Sequence, residues 1–176
     1  RDYRFLSSIY VKRPLLLKAC VDKWHAYYKA HQKTCRVVHY YYDNTAIATR
    51  ADTSVSFADQ WVERLQEHGW IVVKHYIGQA SEHESRKNFW DTFLSGTDSR
   101  LPNFKFNKTN AASWQVSAEN TGIRCVGADK TLKKDKRPEE DINVPSERAP
   151  HIAEAGDTLL WGKFRAKTKK QKAFIA

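Results

Sequence analysis

Three carboxylates stand where residue type and spacing allow chemistry. Asp43 closes the stretch RVVHYYYDNTA, in which valines, a histidine and consecutive tyrosines run into one acid. A strand this apolar has little use for a charge unless the charge is paired or holds something. Glu154 and Asp157 lie in PHIAEAGDTLLWG, and with His151 they recur every third residue, on one face of a helix. A strand-end aspartate and helix-borne acids can form an oxygen-rich cage for Mg²⁺ or Mn²⁺. Two such ions about 3.5–4 Å apart activate water and stabilise the leaving oxygen of a phosphodiester. The competing readings are that Asp43 caps the turn after it and that the helix acids form a solvated face. His83 and His151 each stand beside a helix start and are further candidate ligands. His25, His31, His39, His68 and His75 sit at ordinary helix or strand positions.

Several elements must position these groups. Leu17, Val21, Trp24 and Tyr28 form one apolar stripe and predict a helix from Pro14 to about His31. Arg36–Tyr42 reads as a central strand covered on two sides, and Asn44–Ser56 as a short hairpin or loop. Ser56 caps a helix with Asp59 in its first turn, striped by Phe57, Trp61 and Leu65 and ended by Gly69. Trp70–Ile77 is a second buried strand. Ser81-x-x-Glu84 is a capping-box pattern before Phe89, Trp90 and Phe93, aromatics read as core, and Gly96 closes that helix. A strand at Asn103–Asn107, a helix at Asn110–Asn120 and a strand at Ile123–Val126 follow. Lys130–Ala149 reads as a long charged loop, His151–Trp161 as a helix and Lys163–Ala176 as a basic tail. Alternating strands and helices argue an α/β fold, a central sheet with helices on both faces.

The chain has 176 residues, 30 Lys and Arg against 20 Asp and Glu, and a formal net charge of +10. That balance points to a polyanionic partner, nucleic acid before an acidic membrane surface. Lys130, Lys133, Lys134, Lys136 and Arg137 lie in the loop just before the acidic helix, where they can reach the phosphates of a duplex. The tail lysines are equally a solubilising end. Three widely spaced cysteines, Cys20, Cys35 and Cys125, with no C-x-x-C, argue against zinc and a disulfide framework and for a reducing interior. No run reaches transmembrane length and no secretory leader is evident. The lack of any Met suggests a piece of a longer polypeptide.

HYYYDNTA, GWIVVKHYIGQASEHESRK, NFKFNKTNAASWQVSAENTG, and KKDKRPEED followed by PHIAEAGDTLLWG occur in an order that resembles the nuclease domain of a tailed-phage terminase large subunit. The likeness covers roughly residues 36–162. It implies an RNase H-like fold, with a central mixed sheet flanked by helices. It also implies a two-metal endonuclease that uses Mg²⁺ or Mn²⁺ to cut concatemeric double-stranded DNA during packaging. Asp43 would be the first-strand ligand, Asp157 the aspartate of the closing helix and Glu154 an additional ligand. The third acid of such nucleases falls at or near Lys105, not an acid here. Asp135, Glu139, Glu140 and His83 are possible substitutes.

No G-x-x-x-x-G-K-[ST] loop is present. The resemblance therefore implies the carboxyl-terminal nuclease part, with residues 1–35 a helical lead-in from an absent ATPase, 36–162 the nuclease and 163–176 the tail. Its implied partners are that ATPase, the small terminase subunit and the portal. Its implied location is the cytoplasm of an infected bacterium, with no membrane association. Two alternatives stand beside it: another RNase H-like nuclease, such as a junction resolvase or transposase-like enzyme, and a non-catalytic basic DNA-binding or assembly module.

Overall fold

Asp2–Phe5 (DYRF) is a strand, β1, in the computed structural model, where the sequence reading placed only a helical lead-in. The structure describes residues 2–12, 16–49, 54–79, 82–127, 131–141 and 143–169. The chain divides into two compact units, residues 9–80 and residues 1–8 with 81–176. This division falls at other places than the boundaries 35/36 and 162/163.

The first unit holds α1 (Leu17–Tyr28), β2 (Val37–Tyr42), α2 (Phe57–Glu67) and β3 (Ile71–Tyr76). β2 and β3 pair in parallel from Val37↔Ile71 to Tyr42↔Tyr76. Their crossover is α2, as a parallel pair requires. The Ser56 hydroxyl accepts the Asp59 N–H at 3.1 Å and so caps α2. Gly69, at φ +80°, supplies the left-handed turn that leads into β3. Val21, Leu65 and Trp70 form the buried core, with Trp24, Tyr28 and Trp61 packed on it. The helical stripes read from sequence supply most of it. The strands differ from the reading: Ile71 is 58% exposed and Val73 37%, so β3 is not covered on both faces.

The second unit pairs β1 in parallel with β4 (Asn103–Phe106), from Asp2↔Asn103 to Phe5↔Phe106. Lys105 on β4 donates to Asp2 at 2.6 Å, so the lysine found where the resemblance expects an acid has a carboxylate partner within this ladder. α3 (His83–Ser95) ends at Gly96, φ +65°. Its capping residue is Glu82, which makes no side-chain cap; the expected cap at Ser81 lies outside the described residues. α4 (Ala112–Asn120) leads to an antiparallel pair, β5 (Ile123–Val126) with β6 (Thr131–Lys134). A short helix, α5 (Arg137–Glu140), precedes α6 (His151–Lys169). Phe89, Phe93, Leu101, Leu160 and Phe164 are the core. Each such side chain, taken out of water, contributes roughly 1.5–3 kcal/mol before entropy is counted.

Three further expectations change. The segment read as one long loop contains β6 and α5, because β6 pairs with β5 and its Lys134 meets Asp157, which a loop reading cannot anticipate. α6 runs on to Lys169, through residues read as tail; residues 170–176 lie outside the described set. Among the described residues the fold is mixed α/β, with strands paired two by two, β1–β4, β2–β3 and β5–β6, in place of one central sheet. No helix among them is long and apolar enough to cross a membrane.

Candidate functional site

Among the described residues, Asp157 is the buried acid of the second unit, and a constellation of charged and aromatic groups surrounds it. Two contacts fix its helix. Ser117 of α4 is fully buried; its hydroxyl donates to the Ala149 carbonyl and accepts the Ala153 N–H at 3.1 Å. That N–H is one of the first-turn donors with no partner inside α6. One turn on, Gly156 leaves the space filled by the Trp114 indole: a Cβ built there would overlap Nε1 and lie 3.0 Å from Cδ1. α4 and α6 therefore meet closely, and Asp157 is held in a fixed place.

The Asp157 carboxylate is 8% exposed and takes three donors. The Trp90 indole N–H binds Oδ1 at 2.8 Å. The Lys134 ammonium binds Oδ2 at 2.6 Å, and Arg86 reaches the same oxygen at 3.4 Å. Glu154, one turn earlier, accepts from Lys136 at 3.1 Å. The acidic helix and the basic segment before it, read separately from sequence, are thus joined by two ion pairs. His83, at the start of α3, has its pKa lowered by burial first and then by Lys134 and Arg86, against the pull of Asp157 and Glu154. It is neutral at pH 7. A cavity of about 270 Å³ opens beside these groups, lined by His83, Arg86, Trp90, Trp114, Lys134 and Asp157.

The other candidates have contacts of their own. Asp43 belongs to the first unit, where its Oδ1 accepts the Thr45 N–H at 3.0 Å and the Thr45 hydroxyl at 2.6 Å. It caps its own turn, the competing reading of this residue. His151 is exposed at the first residue of α6. Arg137 pairs with Asp135 and holds that carboxyl down at about 2. Lys133 is exposed. Lys134 is only 9% exposed and pairs with Asp157, a correction to its place in a solvated loop. Glu139 lies in α5. Lys130 and the side chains of Glu139 and Glu140 lie outside the described residues.

As arranged, the groups around Asp157 do not fit a divalent metal. Its oxygens face an ammonium, a guanidinium and an indole N–H, each of which would have to leave before a cation could enter. Among the described residues, no three His, Cys, Asp or Glu side chains converge as a metal-holding group. Sequence reasoning missed Arg86, Trp90 and Trp114. The two tryptophans carry the signal of any aromatic at helical spacing, and only the fold turns the Trp90 N–H toward a charged site. No family model matches the chain, and no curated protein and no solved structure matches it.

Proposed function

We propose that the chain is an RNase H-like nuclease portion of a tailed-phage terminase large subunit, acting on the phosphodiester backbone of concatemeric double-stranded DNA. One observation carries the reading: the closing acidic helix and the basic segment before it meet at a buried carboxylate ringed by cations, beside a cavity. Charged groups held out of water next to a concave surface are characteristic of functional sites. The order of the four segments that resemble terminase nucleases supports the same reading. On this reading the partners are DNA, an ATPase part, the small subunit and the portal, in the host cytoplasm. The Mg²⁺ or Mn²⁺ that the resemblance implies is not supported by the arrangement at Asp157, and no step is assigned to it.

The pairing of Asp157 with Lys134 and Arg86 favours a second reading, a basic DNA-binding or assembly module without catalysis. Plasmid cleavage with EDTA, Mg²⁺ or Mn²⁺, run beside Asp43→Asn and Asp157→Asn, separates the two. Metal-dependent cutting lost in both variants supports the nuclease. Salt-sensitive DNA binding without cutting, indifferent to metal and to Asp157→Asn, supports the module.

A further inference from the structure

Among the described residues, the buried side-chain nitrogens with no hydrogen-bond partner are Nδ1 and Nε2 of His83, Nε of Arg86 and Nε1 of Trp114. All of them belong to residues that line the cavity beside Asp157. Buried polar atoms in native proteins are nearly always paired, and leaving one unpaired costs about 1–3 kcal/mol. Trp114 Nε1 packs against Gly156; the other three, on one turn of α3 beside the cavity, point to a group that the cavity is built to receive. The Arg86 atom is an obligate donor, and neutral His83 supplies one more. The missing group must therefore be rich in acceptors.

Charge gives the same sign. Lys134 and Arg86 share the single carboxylate of Asp157, while Glu154 is taken by Lys136. Arg86 and Lys134 are 16% and 9% exposed, so the site holds an excess positive charge largely out of water. Such an excess is costly unless an anion meets it. Trp90 and Trp114, with their rings 5.4 Å apart, provide flat apolar surface at the same opening. The cavity, about 270 Å³, lies just below the range of drug-sized pockets, about 300–1,000 Å³, and suits one nucleotide-sized fragment.

We infer that this cavity is a phosphate subsite, in which Arg86, His83 and Lys134 hold the oxyanion of one nucleotide and the tryptophans flank its sugar or base. That the nucleotide comes from a DNA strand rests on the nuclease reading; the anion site itself stands on the cavity.

The test uses the full chain in EDTA, with a 5′-phosphorylated dinucleotide and inorganic phosphate as probes. Titration is followed by tryptophan fluorescence and by the His83 imidazole NMR signals. The dinucleotide is expected to bind more tightly than phosphate and to move the His83 signals. Arg86→Gln should weaken it about tenfold or more, the loss of one charge-assisted hydrogen bond. Lys108→Gln, an exposed charge elsewhere, should not. His83→Leu separates binding from folding: it removes an unpaired buried group, so thermal stability holds or rises while affinity falls several-fold. Dinucleotide binding that is absent, or unchanged by both Arg86→Gln and His83→Leu, overturns the inference. Phosphate binding as tightly as the dinucleotide overturns the nucleotide assignment. Plasmid cleavage in parallel keeps the two proposals apart. Cutting without dinucleotide binding sinks the subsite alone, and binding without cutting under any metal sinks the nuclease alone.

Discussion

The Lys134 ammonium lies 2.6 Å from Asp157 Oδ2, and both side chains are less than a tenth exposed. At such a site the partner left behind matters more than the bond removed. Asp157→Leu should destabilise the protein by about 3 kcal/mol because it leaves two cations facing no carboxylate, and Lys134→Met by less, since Arg86 still faces Asp157. The double variant should recover only part of the Asp157→Leu loss, since one cation fewer is stranded while Arg86 and the Trp90 N–H still lack the carboxylate. A double-mutant cycle in urea measures this; strictly additive losses would show that the two side chains are not energetically paired.

Gly156 sits inside a 19-residue helix, where alanine is ordinarily better by roughly 0.5–1 kcal/mol. Here the substitution should reverse sign. The new Cβ enters the volume of the Trp114 indole, and overpacking of this kind costs about 1–3 kcal/mol. Gly156→Ala should lower the melting temperature, and Trp114→Leu should relieve part of the penalty in the double variant. A rise in melting temperature for Gly156→Ala alone would contradict the close approach of α4 and α6.

Acid should act on the first unit through Asp22. Arg64, bonded to it at 2.7 Å, and then His68, at 2.6 Å, hold its carboxyl down at about 2. The unfolded value is about 3.9. With the folded value depressed, the contribution is present in full above about pH 4 and is lost as the pH falls toward 2. Asp22 is 41% exposed, so solvent screening limits the effect to about 1 kcal/mol or less. Denaturation between pH 5 and 2.5 should show Asp22→Asn with a flatter acid limb than the parent chain. Identical limbs would remove Asp22 from the acid response.

Much of the fold is legible where a local rule suffices. Ser56 and Asp59 announce the start of α2, Gly69 and Gly96 its end and that of α3, and the stripes of α1 and α2 deliver Val21 and Leu65 to the core. What escapes is long-range pairing. DYRF carries no strand signal beyond weak alternation, and its partner lies about a hundred residues later. The lysines of β6 read as solvated charge because nothing in their neighbourhood reveals that one of them meets a buried aspartate 23 residues on. At the candidate site, Asp157, Glu154 and His83 are recoverable from spacing and helix position. Trp90 and Trp114 are not, because a buried indole and a site indole have the same sequence signature. Asp43 shows the converse: the acid that ends an apolar strand is explained by the Thr45 turn that follows it.

The pairing of β1 with β4 sets an order of events during synthesis. Residues 9–80 form their own unit and lie between the two pieces of the other. As the chain leaves the ribosome, this inserted unit has every residue it needs long before its host does. β1 must wait for Asn103–Phe106, and at about 5–20 residues per second that interval is roughly 5–20 s. The host then still lacks Leu160 and Phe164, which complete its core and come off the ribosome later still. During this interval the aromatic face of Tyr3 and Phe5 has no mate, so the host's β1 stays exposed to solvent until the chain is nearly finished.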